Sequence, residues 1–386
     1  MTDVLGNTGK SASPGAQDVR IERYRLQSEA RRLVSPKDAL QGCLRWPVGG
    51  GNGRVAVKYR RKAQYAFYGG LQTCGQIWKC PVCAAKITER RRKLWEHALN
   101  SKVITTTQYE DGAVAKLISH GWSLAMATFT LEHHFGEELQ SVIGRLERAY
   151  QLMWSGKWAV KFKASGSIVG TVRAMEVTHG MNGWHPHIHC LFIMEGAGMR
   201  YQHASARSDL QERWHRVVGK AGGSNVRSLG CVFTVADIRS IEYIDKMGIE
   251  TVYRKLDKGQ ISETTKYPTK KGRGDNVGLF GLLALSAGGG AEAGSLWQQA
   301  QVSLKHRKHI ATSQGLLRRL GASIELSDNN LAATEIDDYG DELLAILERA
   351  EWDVIDRREL RAQLLNIAQS GNAQTVQDFL VEVGAR

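Results

Sequence analysis

Two periodicities alternate along this chain. Between residues 137 and 154, Leu139, Val142, Ile143, Leu146, Ala149, Tyr150 and Met153 recur at helical spacing and predict an amphipathic helix. Residues 124–131, 167–178 and 184–194 are instead rich in β-branched and aromatic residues and read as strands. The last two are separated by His179-Gly180-Met181-Asn182-Gly183, a hairpin signal. Residues 55–68 read as a pair of strands and 232–235 as a short one, while 84–100, 207–218, 237–248 and 295–304 read as helices. A helical stretch is expected before Val34, and Gly288–Gly294 reads as a flexible connection. From Glu335 onward two or three amphipathic helices are expected, including the runs Leu343-Leu344-Ile346-Leu347 and Leu360-Leu364-Leu365-Ile367. Helices and hairpins in this order predict an α+β fold, a central mostly antiparallel sheet with flanking helices.

The pattern divides the 386 residues into four segments. Residues 1–36 form a disordered leader and short helix, the first 20 being rich in Gly, Ser, Thr and Asp without a hydrophobic period. Residues 37–110 hold the clustered cysteines and a basic helix, 111–320 the main α+β domain, and 321–386 an acidic helical tail.

Charge sharpens the division. The chain carries +13 overall, but residues 321–386 hold 14 acidic against 5 basic residues, net −9, which leaves the first 320 at +22. A strongly basic body favours a polyanion, because Lys and Arg displace condensed counterions from nucleic acid. No apolar run reaches the ~20 residues that span a bilayer, and the start lacks the form of a secretion signal. A cytoplasmic protein is expected, whose six cysteines sit in a reducing compartment.

The candidate chemistry begins at His185-Pro186-His187-Ile188-His189. In a strand, residues two apart share a face, so three imidazoles point one way while Pro186, Ile188 and Cys190 point the other. Neutral imidazole is the commonest ligand for divalent metals. If the hairpin loop is residues 180–183, His179 pairs with Trp184 and Glu176 lies opposite His187 on the same face. Two histidines and a carboxylate leave coordination positions open, as a catalytic site requires. A register slip of one residue would send Glu176 to the other face.

Two further clusters stand out. Cys74, Cys80 and Cys83, with Cys80-Pro81-Val82-Cys83 as a knuckle, have the spacing of a structural Zn²⁺ site, and Cys43 is a candidate fourth thiolate. The basic run Arg90-Arg91-Arg92-Lys93 that follows is a candidate contact for DNA phosphates. On the helix at 237–248, Tyr243 lies off the apolar face, with Arg239 four residues before it and Lys246 three after. A phenol between two cations suits attack on a phosphodiester, since the cations favour the phenolate and offset the charge of the transition state. A faint phosphate-loop likeness at residues 6–11 lacks the first glycine and a preceding strand.

Together these residues carry a resemblance. Gly183-Trp184-His185-Pro186-His187-Ile188-His189 resembles the histidine–hydrophobe–histidine (HUH) motif of rolling-circle replication initiators in their plasmid branch. Thr128-Phe129-Thr130-Leu131 is similar to that family's first strand motif, Tyr243-Ile244-Asp245-Lys246 to its Tyr-x-x-Lys motif, and the cysteine segment to its N-terminal cysteine element. The likeness spans residues 40–320. It implies an HUH palm, with His187 and His189 holding Mg²⁺ or Mn²⁺, Glu176 completing the site, and Lys246 beside the nucleophile Tyr243. It further implies nicking and rejoining of single-stranded origin DNA through a 5′-phosphotyrosine, with host helicase and polymerase as partners in a bacterial cytoplasm. Position 247 is Met, so a single catalytic tyrosine is expected, and Arg239 stands where some relatives carry a carboxylate for termination. Single-strand transposases and relaxases share this chemistry, and a non-catalytic zinc-containing DNA-binding regulator is the alternative from another class.

Overall fold

Every second residue of the histidine segment is apolar, and the segment folds as the innermost strand of an antiparallel sheet. The computed structural model describes residues 14–49, 53–100, 104–108, 114–118, 123–195, 203–223, 230–235, 276–320, 327–333 and 340–386. In chain order these hold α1 (Pro14–Arg32), a 3-10 turn (Ala39–Gly42), β1 (Val55–Arg60), β2 (Tyr65–Gly69), α2 (Pro81–Asn100), β3 (Ile104–Gln108), β4 (Val114–Ile118) and β5 (Ser123–Phe129). Then come α3 (Leu139–Met153), α4 (Gly156–Ser165), β6 (Ile168–Gly180), β7 (Gly183–Met194), α5 (His203–Lys220) and β8 (Cys231–Val235). The last part holds β9 (Val277–Gly278), α6 (Leu279–Ala287), α7 (Ala291–Leu304), β10 (Ile310–Thr312), α8 (Leu316–Arg319), α9 (Asp328–Ala333), β11 (Asp341–Leu347), α10 (Arg349–Arg357), α11 (Arg361–Ala368) and α12 (Ala373–Glu382).

The main sheet runs β10-β6-β7-β5-β8, with β9 added to β6, and its pairs are antiparallel. β7 sits between β6 and β5, so its backbone is hydrogen-bonded on both sides and its side chains are held firmly. Ile188, Cys190 and Phe192 on its apolar face join Val142, Leu146 and Met153 of α3 and Leu210 and Trp214 of α5 in one core. Each such fully buried large side chain contributes about 1.5–3 kcal/mol. The histidines therefore face away from the helices. Gly183 closes the hairpin at φ +81°, and a Cβ there would meet the backbone of His134 and Phe135 at 3.3 Å.

A second core gathers Cys43, Cys74, Cys80 and Cys83 with Leu26 of α1, Leu283 of α6, Trp297 of α7 and Met175 and Val177 of β6. A third joins both ends of the chain: β11 pairs with β1 in the sheet β11-β1-β2, and Trp352 packs among Val55, Val57 and Tyr68. The Trp352 indole donates to the carbonyl of Arg45 at 2.7 Å, and Arg60 pairs with Asp341 at 2.6 Å.

Several expectations are corrected. The run Leu343-Leu344-Ile346-Leu347 is part of strand β11, not a helix, because pairing with β1 buries Leu344, Ala345 and Leu347. The connection at Gly288–Gly294 is shorter than expected, since α7 begins at Ala291. Helices α4 and α6 were not foreseen, and the basic helix begins three residues early, at Pro81. Proline is well tolerated there because the first helical N–H groups have no partner within the helix. The helix expected at 237–248 lies outside the described residues, as does the start of the leader, 1–13.

Candidate metal centres

The hairpin register is the one the sequence implies. His179 pairs with Trp184, Gly180 with Gly183, and Glu176 with His187. His189 lies between Ala174 on β6 and Thr128 on β5. The small Ala174 leaves room for the Glu176 carboxylate, whose Oε2 lies 3.1 Å from His187 Nε2 and 3.2 Å from His189 Nε2. A cation with ligands at about 2.1 Å sets adjacent octahedral positions about 3.0 Å apart, so these spacings fit one shared ion with positions left open. Glu176, His187 and His189 place one ligand atom each within 4.8 Å of the others. His185 stays outside this group. Its ring lies 5.3 Å from that of His187 and 4.8 Å from that of His133.

Electrostatics suits a cation. Burial works to raise the pKa of Glu176, but hydrogen bonds with His187 and His189 outweigh it and hold the carboxyl well below the usual range. Burial also lowers His189, and it lowers His185 to about 4 with help from His187 and His133. Near neutral pH this sets a carboxylate beside the neutral imidazole of His189, a donor pair suited to a cation. The Thr128 hydroxyl lies 2.9 Å from His189 Nδ1. That contact orients the ring so that Nε2 faces Glu176.

The four cysteines form the second centre. Their sulfurs lie 3.5 Å (Cys43–Cys83), 3.7 Å (Cys74–Cys83) and 3.8 Å (Cys43–Cys80) apart. A tetrahedron of thiolates 2.3 Å from zinc has an edge of about 3.8 Å. All four are free thiols, too far apart for a disulfide. Cys80 precedes α2, and its sulfur accepts the amide N–H of Cys83 at 3.4 Å and the Gln27 side-chain N–H at 3.2 Å. Burial opposes ionisation of Cys80, yet its contacts with Cys43, Cys74 and Cys83 hold the thiol well below its usual range, while contacts within the cluster push Cys74 and Cys83 up. Cys43 arrives by way of the 3-10 turn, which the Lys79–Asp38 ion pair at 2.6 Å ties to the knuckle.

The basic run is placed differently from expectation. Arg90 donates to the carbonyl of Leu331, and Arg91 pairs with Asp328 with only 12% of its side chain exposed. Both guanidinium groups therefore anchor α9 and are not laid out along open surface. The side chains of Arg92 and Lys93, and all of Arg239, Tyr243 and Lys246, lie outside the described residues.

Sequence reasoning missed His309. It immediately precedes β10, is 2% exposed, and lines a cavity with Glu176. Burial lowers its pKa from 6.5 to about 3. The folded imidazole stays neutral while its unfolded counterpart takes up a proton below about pH 6.5, so stability falls as pH drops from about 6.5 towards 3. From this group the slope is at most about 1.4 kcal/mol per pH unit. Urea midpoints between pH 6.5 and 4 should fall less steeply in His309→Gln than in wild type; equal slopes would remove His309 as the cause.

A family model described as "Replication protein" matches residues 70–358, past the acidic boundary at 320 and into α10. "Protein rep" of Streptomyces lividans is 26% identical over 365 residues, covering 78% of this chain and 76% of the relative. "Neomycin resistance protein" of Streptomyces cyanogenus is 28% identical over 183 residues, and "Protein rep" of Streptococcus pneumoniae serotype 2 (strain D39 / NCTC 7466) is 30% identical over 151. They cover 38% and 37% of this chain, and the chain covers 38% of each. No solved structure matches the chain.

Proposed function

The chain belongs to the replication protein family, and from that premise we propose that it initiates rolling-circle replication of a plasmid by nicking and rejoining single-stranded origin DNA. The observation that carries the reading is the convergence of Glu176, His187 and His189 on the innermost strand of the sheet. An antiparallel sheet with its histidines on one face and helices α3 and α5 on the other is the arrangement expected of an HUH palm. The ligands suit Mg²⁺ or Mn²⁺, which when bound would polarise the scissile phosphate. The basic body of the chain supports DNA as the partner, and no helix among the described residues is long and apolar enough to cross a membrane.

In this reading Tyr243 is the nucleophile. Its phenolate oxygen bonds to phosphorus as the bond from phosphorus to the 3′ oxygen breaks, and that oxygen takes up a proton to leave a 3′-OH. The 5′ phosphate remains on Tyr243, and the reverse reaction rejoins the strand. Arg239 and Lys246 stabilise the phenolate and the charge of the transition state. A host polymerase extends the 3′-OH and a host helicase opens the duplex. The four cysteines hold structural Zn²⁺, a use to which their sulfur spacings are suited.

Incubation with single-stranded origin DNA and Mn²⁺ should give an SDS-resistant protein–DNA adduct in wild type and none in His187→Ala/His189→Ala. A wild-type protein that forms no adduct across the whole origin region contradicts the reading. The Thr128 contact adds a graded test. Thr128→Val keeps the side-chain shape but removes the hydroxyl, and should weaken Mn²⁺ binding about tenfold, with Thr128→Ser recovering most of it. Equal affinities for wild type and Thr128→Val would show that the hydroxyl does not orient His189.

A further inference from the structure

Helix α4 carries charge that opposes its own stability. Between Arg148 and Met175 the chain holds five cations, Arg148, Lys157, Lys161, Lys163 and Arg173, and no carboxylate. Three of them fall within the ten residues of α4. Lys157 lies in the first turn, where the positive end of the helix dipole favours an acid and disfavours a cation. Lys161 follows one turn later, at the spacing at which like charges on a helix repel. Lys157, Val160, Lys161 and Ala164 share one face by helical spacing, and all are exposed, Val160 at 71%. Neither lysine has an ion-pair partner among the described residues. The exposed Arg25, Arg216 and Arg349 of other helices, in contrast, each pair with a carboxylate one turn away.

The lysine stripe stands on a rigid base. On the other side of α4, the rings of Trp158 and Phe162 stack at 4.9 Å with 12° between their planes. Phe162 packs in the core with Phe192 of β7, their centroids 6.4 Å apart. Arg213 of α5 lies over the Trp158 ring at 5.3 Å and donates to the carbonyls of Leu152 and Ser155 at 2.8 Å and 3.2 Å, which fixes the turn into α4. Phe192 belongs to the apolar face of β7, so α4 lies on the side of the sheet turned away from His187 and His189. It is displaced along the sheet as well: β6 starts at Ile168, eight residues or about 26 Å from Glu176.

We propose that the exposed stripe of α4 is a docking surface for the phosphate backbone of double-stranded DNA, engaged by origin duplex that flanks the nick. The inference rests on the reading of the chain as acting on origin DNA, and not on which residue attacks the strand. A polyanion laid across Lys157 and Lys161 offsets the repulsion between them and releases its own condensed counterions. Duplex suits the stripe better than a single strand on two counts. It is a dense array, with one negative charge per about 1.7 Å of axis. Single strands are gripped largely by stacking on aromatic side chains, and those of α4 are packed against the core. Contacts to phosphates alone carry no sequence information, so the stripe supplies affinity and orientation, not sequence choice.

The experiment measures binding of the full-length protein to an origin duplex extending well beyond the nick, by fluorescence anisotropy between about 50 and 200 mM salt. Lys157→Gln/Lys161→Gln should flatten the slope of log K against log salt by about 1.8, two phosphate contacts at about 0.9 each, and bind about tenfold more weakly at the lowest salt. Lys157→Arg/Lys161→Arg should keep both affinity and slope. The Gln variant should melt no lower than wild type and should form the covalent adduct as wild type does with a short single-stranded oligonucleotide spanning only the nick. Unchanged duplex affinity and slope in the Gln variant overturn the proposal. So does loss of the adduct with the short oligonucleotide, which would place the helix at the nicked strand. An equal loss of affinity for single-stranded DNA of the same length overturns the choice of duplex. Loss of binding to phosphatidylserine vesicles with duplex binding intact would assign the stripe to a membrane surface instead. Wild type that forms no adduct but binds duplex through these lysines removes the nicking reading and leaves the docking surface standing.

Discussion

Glu176→Ala should lose Mn²⁺ binding by about a hundredfold or more and lose origin nicking with it, while remaining folded. Replacing partners that only orient ligands costs about 10- to 100-fold in metal affinity, and Glu176 is a ligand candidate whose oxygen lies within 3.2 Å of both imidazoles. Its removal leaves two imidazole donors and takes away the carboxylate of the site. The competing effect is on folding. The carboxylate is nearly buried and makes two hydrogen bonds, so truncation leaves the imidazoles short of a partner at a cost of about 1–3 kcal/mol. That lowers the melting temperature by a few degrees, far less than unfolding requires. Glu176→Gln separates charge from shape: it keeps an oxygen donor and should fall between wild type and Ala. Unchanged Mn²⁺ affinity in Glu176→Ala would exclude Glu176 from the ligand set.

Removing metal from the cysteine cluster should do the opposite, damaging the fold first. Structural zinc in small domains binds with about 10–16 kcal/mol, comparable to the whole stability of a typical protein at about 5–15 kcal/mol. The cluster lies at the centre of a core shared by α1, α6, α7 and β6, so its loss is felt beyond the knuckle. Purified protein should contain one zinc per chain, and stripping it with a strong chelator should lower the melting temperature by roughly 10 °C or more. Cys80→Ser/Cys83→Ser should be zinc-free and poorly soluble, and Cys43→Ser should bind zinc more weakly, since the turn carrying Cys43 brings its sulfur to 3.5 Å from that of Cys83. Wild type that is fully folded without zinc, melting as the loaded protein does, would contradict the assignment.

The parts of this fold that could be read from sequence are those set by local rules. Period-two alternation around a two-residue turn fixes both the faces and the register of β6 and β7, and Glu176 reaches His187 for that reason. Helix α3 shows its buried stripe directly, with Leu139, Val142, Ile143, Leu146, Ala149 and Met153 all in the core. What could not be read depends on distant partners. Leu, Ala and Glu in Asp341–Leu347 favour a helix, and only pairing with β1 nearly three hundred residues earlier makes the segment a strand. Helix α6, buried between α1 and α7, is too uniformly apolar to show a helical period.

The candidate site divides along the same line. Cys43 stands 31 residues before the next cysteine, and only the turn at Ala39–Gly42 and the Lys79–Asp38 pair show how it joins the others. Arg90 and Arg91 looked like phosphate contacts because sequence reveals charge but not the acceptor it meets, here Leu331 and Asp328. Thr128 was visible as part of a motif, but its bond to His189 follows from β5 lying beside β7. Nothing in the spacing of His309 points to Glu176, because their proximity comes from β10 pairing with β6.

The central claim is that Tyr243 cleaves origin DNA with the aid of the Glu176–His187–His189 site. It is tested most directly by digesting the covalent adduct with protease and nuclease and sequencing the nucleotide-bearing peptide by mass spectrometry. The account predicts a phosphonucleotide on Tyr243, formed only with Mg²⁺ or Mn²⁺ present and absent from Tyr243→Phe. DNA attached to any other residue, or an adduct of undiminished yield in Tyr243→Phe, would contradict it.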